Sequence, residues 1–240
     1  MFQKAGLILS SSKYKDYDCV INVLFEDGIK SILIRGAYRA KNKNLVFTNP
    51  FIYANLEIYE GKTKGYKLKC GTIIETFFDL SPKIDQIIFL NLMIEISNKF
   101  IIEGDSSAYL HLVVSVLKGI KHHKDVDRCV SYYLLSLIKI LGLQFEMNHC
   151  IRCESTEELS GISFLDGGAV CKNCLTDTDL ALDKKEYFTL KKISINSDFK
   201  DFKHLSIKFL KKLNISLLLY LEDYFNVKIN TLNLYTLIMG

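Results

Sequence analysis

At 240 residues the chain is long enough to bury a substantial core in one or two domains. Hydrophobic residues make up 49%, charged residues 24%, and there are only two prolines, a composition that excludes a disordered or low-complexity chain. The net charge of +4 does not by itself call for a polyanion, but it is unevenly spread: residues 1–78 hold twelve Lys/Arg against seven Asp/Glu, and the remainder is close to neutral. No apolar run approaches the roughly eighteen residues that span a bilayer, and the opening MFQKAGLILSSS lacks a signal-peptide shape, so a cytosolic location is expected.

The first third reads as β structure. Ala5 to Ser10, Tyr17 to Phe25, Ile29 to Arg35, Phe51 to Tyr59 and Gly65 to Phe77 are short runs rich in Ile, Val, Leu, Phe and Tyr, bounded by polar or glycine turns. Glu26-Asp27-Gly28 is a hairpin signal in which Gly28 can take positive φ, and Gly61 to Gly65 is another. Five strands in under eighty residues, with no helical pattern between them, predict a small closed barrel of the oligonucleotide-binding (OB) kind. Between the third and fourth runs, Arg35 to Asn44 carries Arg35, Arg39, Lys41 and Lys43 with Tyr38 and Gly36 and no acidic side chain. Such a loop can lie along a phosphate backbone while Tyr38 offers a stacking face. A solvated surface loop is the plainer alternative.

Near Ser81-Pro82 the period changes. Ile84, Ile87, Ile88, Leu92, Ile96 and Phe100 recur at spacings of three and four and predict a helix over 84–102. Further helices are expected over Ser107 to Ile120, capped by Asp105-Ser106, and over about Val126 to Leu143, ending near Gly142. Helical spacing returns over Leu180 to Ile193 and Phe202 to Phe225, with Lys203, Lys208, Lys211 and Lys212 at the start of the last helix. The tail from Asn226 shows no clear pattern. The expected organisation is α+β: an OB barrel over 1–79, then an all-α domain over 80–240 with a four-cysteine zinc ribbon inserted at about 148–176.

That insertion is the strongest local signal. Cys150/Cys153 and Cys171/Cys174 form two Cys-x-x-Cys pairs seventeen residues apart, the spacing at which two turns close a tetrahedral zinc site. A thioredoxin-type redox pair is the rival, but Gly167-Gly168 before the second pair and Asn173 within it suit a turn better than a helix start. The seven cysteines are an odd number without other marks of secretion, which disfavours a disulfide scaffold. Cys19, Cys70 and Cys129 are expected in the core. Four thiolates leave no open position for water or substrate, so the zinc is expected to be structural. The chain has no glycine-rich phosphate loop, no Gly-x-Ser-x-Gly, no His-Glu-x-x-His and no deaminase motif beside its cysteines. His149 adjoins Cys150 but is not needed as a ligand, His122-His123 suit a solvated helix end, and His111 and His204 stand alone.

Taken together, these stretches resemble the DNA repair protein RecO family. The resemblance runs through KAGLILSSSKYKDYDCVINVLFEDGIKSILIRGAYRAKNKN, Asn49-Pro50-Phe51, Leu56-Glu57-Ile58-Tyr59, the helix ending in Gly142-Leu143 with the Cys150/Cys153 pair after it, and Gly167-Gly168-x-x-Cys171-x-x-Cys174. It implies an OB domain followed by a helical domain with a zinc ribbon. It also implies binding of single- and double-stranded DNA without sequence preference, annealing of complementary strands, and action with RecR to load RecA onto strands coated by single-stranded DNA-binding protein, whose acidic C-terminal tail is a further partner. The chain departs from the family in a basic loop rich in lysine and asparagine rather than arginine, and in a tail poorer in arginine.

On this reading the protein is not an enzyme. Arg35, Tyr38, Arg39, Lys41 and Lys43 are the expected DNA-binding residues, with Lys13 and Lys15 on the first turn as further candidates. Lys203, Lys208, Lys211 and Lys212 are candidates for the rim of the groove that takes the acidic tail. The alternatives are a zinc-ribbon protein-interaction module with incidental DNA binding, and a zinc enzyme, which would lack one thiolate ligand.

Overall fold

The fold is that of a computed structural model describing residues 1–61, 65–77, 83–101, 103–122, 125–195 and 198–239. The chain divides into two compact units, residues 1–82 with 96–122, and residues 83–95 with 123–240.

In the first unit, β1 (Phe2–Tyr14), β2 (Asp18–Phe25), β3 (Gly28–Ile34), β4 (Ile52–Glu60) and β5 (Tyr66–Thr76) close a barrel in the order β1-β2-β3-β5-β4. All pairings are antiparallel except β3 with β5, so the expected OB-type barrel is what forms. β1 is longer than the apolar run suggested because it serves two partners. Phe2 to Leu7 pair with β4, and Leu7 to Tyr14 with β2, with a register shift between Ile8 and Ser10. Alternate residues of β2, Cys19, Ile21, Val23 and Phe25, fill the interior with Ile32, Ile52 and Leu56. Gly28 closes the β2–β3 hairpin at φ +116°, a value only glycine adopts easily. A 3₁₀ turn over Lys43–Thr48 sends Phe47 into the core.

The opposite face of β1–β3 is not open. It carries the fully buried Leu7, Leu9 and Leu24, and α2 (Ser106–Lys121) packs against these strands. Asp105 stands at the N-cap of α2 but its side chain makes no capping bond, and Ser106 lies inside the helix rather than before it. Lys118 and Lys121 reach Glu75 of β5 at 3.5 and 3.6 Å. Cys70, expected in the core, is exposed on β5 with its thiol 3.0 Å from the Glu57 carboxylate, because a register shift opposite Glu57 and Ile58 breaks the alternation after the inward Leu68 and turns Cys70 outward.

α1 (Ile84–Phe100) spans the division between the units. The second unit continues with α3 (Val126–Ile140), capped by Asp125, whose carboxylate accepts from the Arg128 amide at 3.1 Å. The helix ends as the glycine signal predicted. Gly142 takes φ +73°, the Leu143 amide returns to the Ile138 carbonyl at 2.9 Å, and that of Gly142 to Lys139 at 3.2 Å. Then comes a three-stranded sheet of β6 (Leu159–Ser163), β7 (Gly168–Cys171) and β8 (Leu180–Ala181), in the order β7-β6-β8.

Two expectations fail here. Leu180 and Ala181 are strand, and the helix α4 (Lys184–Ile195) begins only after Asp183, which exchanges hydrogen bonds with Glu186 at 2.8 and 2.9 Å in a capping box. The long final helix is split: Phe199–His204 is a 3₁₀ turn holding Lys203, and α5 (Ile207–Phe225) starts at Ser206, whose hydroxyl accepts from the Phe209 amide. The tail forms α6 (Thr231–Met239), whose first amides are capped by the Glu95 carboxylate at 2.7 and 2.8 Å. A buried polar knot joins the helices, with Ser131 donating to Asn214 at 2.7 Å and Asn214 to the Tyr235 hydroxyl at 3.0 Å. The period change at Ser81-Pro82, the middle of the Gly61 to Gly65 turn, and His123 lie outside the described residues.

Candidate nucleic-acid interface and metal centre

The two Cys-x-x-Cys turns meet. The sulfurs of Cys150, Cys153, Cys171 and Cys174 all lie within 4.8 Å of one another, and Cys153 Sγ stands 3.7 Å from Cys171 Sγ. Four sulfurs held about 2.3 Å from one tetrahedral zinc would stand about 3.8 Å apart, so the donor set fits such an ion. Cys150 and Cys171 are buried and Cys153 is exposed. Burial pushes the Cys150 thiol up, but main-chain N–H groups of Cys171, Arg152 and Cys153 point at its sulfur and bring it down to about 6. Hydrogen bonds among the sulfurs, led by that with Cys153, push Cys174 up to about 12. A thiolate is therefore prepared by the backbone at one corner of the cluster. His149 does not join the set; its Nδ1 faces Glu146 at 3.6 Å.

Arg152, between the first two cysteines, ties the module together. It forms a bidentate pair with Asp179 at 2.7 and 3.0 Å, donates from Nε to Asp166 at 2.8 Å, and donates to the Cys174 carbonyl. Burial opposes ionisation of Asp179, whose side chain is 2% exposed, but the Arg152 guanidinium and the Thr176 amide hold its carboxyl below the usual range. No spacing rule selects Asp179 over Asp177 as this partner, so the sequence carried no signal for it.

At the barrel end where β1, β2 and the exit of β3 converge, the candidate DNA-binding residues come together. Lys13, Lys15, Arg35, Tyr38, Arg39, Lys41 and Lys43 are all exposed. The Tyr38 amide donates to the Tyr17 carbonyl at 3.0 Å, which joins the loop after β3 to the β1–β2 turn. The loop is held from within: Asp18 accepts from the Gly36 amide at 2.7 Å, and the Asn42 side-chain amide donates to the carbonyls of Arg35 and Gly36 at 3.2 and 2.6 Å. Contact with the buried Cys19 thiol raises the Tyr38 hydroxyl above the usual phenol range.

The six cations differ in their pairing from five other lysines of this unit. Lys4 and Lys30 face Asp27, Lys69 faces Glu57, and Lys118 and Lys121 face Glu75. Among the described residues none of the six takes part in an ion pair. Two of them sit on tyrosines that the sequence reading passed over. Lys15 Nζ lies 5.4 Å from the Tyr14 ring centre, and the Arg39 guanidinium 5.4 Å from that of Tyr17.

Of the four lysines assigned to a partner groove, Lys208, Lys211 and Lys212 line an open furrow on α5 floored by Ile207 and Ile215. Lys203 is exposed on the preceding 3₁₀ turn and is not among its lining residues. Lys208 sits in the first turn of α5, where a cation opposes the helix dipole and no acidic residue offsets it.

Residues 1–77 match the family model described as Recombination protein O N terminal, and residues 82–232 match Recombination protein O C terminal. The chain belongs to the RecO family. Similar proteins named DNA repair protein RecO occur in Clostridium acetobutylicum, 25% identical over 198 residues covering 81% of this chain and 80% of the relative, and in Mesoplasma florum, 23% identical over 211 residues covering 81% and 79%. A third, from Caldicellulosiruptor bescii, is 24% identical over 187 residues, 76% of each chain. The N-terminal RecO match contains the whole cation cluster, and the C-terminal match contains the four cysteines, Arg152 and Asp179. No helix among the described residues is long and apolar enough to cross a membrane.

Proposed function

We propose that this RecO-family protein is a non-catalytic mediator of DNA repair that binds single- and double-stranded DNA, anneals complementary strands, and helps load recombinase onto strands coated by single-stranded DNA-binding protein. The observation that carries the reading is the set of six cations, without ion pairs among the described residues, at one end of a closed OB-type barrel. Annealing brings two polyanions together, and side chains that displace their counterions lower that repulsion without making or breaking a bond. Arg35, Arg39, Lys41, Lys43, Lys13 and Lys15 neutralise phosphates, with Tyr38 beside them. The barrel, residues 1–79, is the DNA-binding domain, and residues 80–240 form the helical domain carrying the ribbon at about 148–176.

The four cysteines hold a zinc ion, which closes a segment with too few apolar residues to fold alone and leaves no position for substrate. The α5 furrow suits the acidic, apolar-ended tail of single-stranded DNA-binding protein: Lys208, Lys211 and Lys212 offset its charge over Ile207 and Ile215, with Lys203 nearby in sequence. RecR is the working partner and RecA the recombinase served, at the bacterial nucleoid. The test is strand annealing with and without single-stranded DNA-binding protein. Annealing of coated strands is expected, and failure to anneal bare or coated strands would reject the reading.

A further inference from the structure

We propose that Tyr14, Tyr17 and Tyr38 form a stacking platform for unpaired bases, so that this end of the barrel favours single-stranded over double-stranded DNA; the proposal rests on the DNA-binding reading above. The three rings are 46%, 51% and 40% exposed and lie on the β1–β2 turn and the loop after β3, which the Tyr38 to Tyr17 main-chain bond joins. Each ring is held rather than loose. Lys15 and Arg39 sit over Tyr14 and Tyr17, and Tyr38 is fixed through its main-chain bond to Tyr17. A cation on one face of a ring leaves the other face as the one a base can take, with the cation placed for the adjoining phosphate.

Two of the six non-glycine residues with positive φ among the described residues lie in this cluster. Lys15 and Lys41 adopt φ of +55° and +68°, a left-handed conformation that disfavours any residue with a side chain and that glycine or asparagine would relieve. Both strained positions here carry lysine, and both lie within the cluster. The face of β1–β3 that carries Leu7, Leu9 and Leu24 is covered by α2, whereas the loop end is exposed.

Duplex and single strand present the same phosphates to the cations, but a duplex keeps its bases stacked on one another and withholds them from the tyrosines. Aromatic and cationic substitutions therefore have different signatures. Tyr14→Ala/Tyr17→Ala and the triple variant with Tyr38→Ala are compared with Arg35→Ala/Arg39→Ala/Lys41→Ala/Lys43→Ala on a fluorescent oligo-dT and on a duplex of equal length, at one salt concentration. The tyrosine variants are expected to lose at least about tenfold in single-strand affinity and less than about twofold on the duplex, while the cation variant weakens both. The triple phenylalanine variant, which keeps the stacking faces, should retain single-strand affinity. Quenching of a 2-aminopurine in the single strand by the parent protein, lost in Tyr14→Ala/Tyr17→Ala, reads stacking directly. Equal losses on both substrates, or unchanged single-strand affinity and quenching, would overturn the platform while leaving DNA binding intact. Absence of DNA binding by the parent protein would remove the underlying reading, and the platform with it.

Discussion

The sharpest quantitative consequence of the cation cluster is the salt dependence of DNA binding. Lys13, Lys15, Arg35, Arg39, Lys41 and Lys43 are exposed and, among the described residues, without ion pairs, so each can displace a counterion without first losing a protein carboxylate. At about 0.7 counterions per phosphate contact on a single strand, six contacts give a slope of about −4 for log affinity against log salt. Raising salt fourfold, from about 50 to 200 mM, then weakens binding about 300-fold. Replacing Arg35, Arg39, Lys41 and Lys43 by alanine leaves two contacts, a slope of about −1.4 and a loss of about sevenfold over the same range. Fluorescence anisotropy titrations at four or five salt concentrations measure both slopes. The four side chains are exposed, so the variant should stay within about 0.5 kcal/mol of the parent per substitution, and urea unfolding checks this. A quadruple variant whose slope stays within about 0.5 of the parent's would place the phosphate contacts elsewhere on the molecule.

Two further predictions concern the second unit. Cobalt substitution should give the charge-transfer absorption of four thiolate ligands, and Cys171→Ser should lose that spectrum together with much of the roughly 10–16 kcal/mol that such sites contribute to folding at neutral pH; an unchanged spectrum would count against the four-thiolate assignment. Asp127 should make stability fall with rising pH. Burial, then the neighbouring Asp125 and Asp85 carboxylates, raise its carboxyl to about 6 against the attraction of Lys211 and Arg128, and its Oδ1 is buried without a hydrogen-bond partner among the described residues. Between about pH 4 and 6 the folded state keeps a proton that the unfolded chain has released, so stability drops across that window and the cost persists above it. Full burial would make the difference worth about 3 kcal/mol, but the group is about half buried and screening reduces it to about 1 kcal/mol. Asp127→Asn should therefore unfold at higher urea than the parent at pH 7.5 and at the same urea near pH 4; an equal gain at both would assign the effect to hydrogen bonding rather than charge.

What could be read from the sequence was whatever depends on neighbours in the chain. Runs of Ile, Val, Leu, Phe and Tyr between turn residues placed all five barrel strands, Gly28 marked its hairpin, Gly142 marked the end of α3, and the cysteine spacing brought together four sulfurs that prove to lie within 4.8 Å of one another. The start of α4 was also open to local reading, since Asp183 and Glu186 stand at capping-box spacing, but the apolar periodicity of Leu180 and Leu182 concealed it. Other features had no local signal. α6 is capped by a carboxylate 136 residues away. Cys70 is exposed because a register shift between β4 and β5, which the sequence does not state, breaks its parity with the inward Leu68. Tyr17 reads as the start of a strand, and it is joined to the basic loop by its main-chain bond to Tyr38 and by the Arg39 guanidinium over its ring.

The same long-range contacts determine what kind of binding surface the loop makes. Ten residues carrying four cations and a glycine would, as a free loop, repel themselves and lose conformational entropy on ordering against DNA. Here Asp18 and Asn42 hold the main chain at Gly36 and Arg35, and the Tyr38 amide fastens it to the β1–β2 turn. The cost of gathering like charges is met during folding, by hydrogen bonds from Asn42, to Asp18 and along the backbone that form no ion pair with the cations among the described residues. Charge and order therefore contribute separately to affinity. The number of cations determines the slope of affinity with salt, while the rigidity of the loop determines the affinity at any given salt, which is why the slope rather than a single dissociation constant is the quantity that tests the cluster.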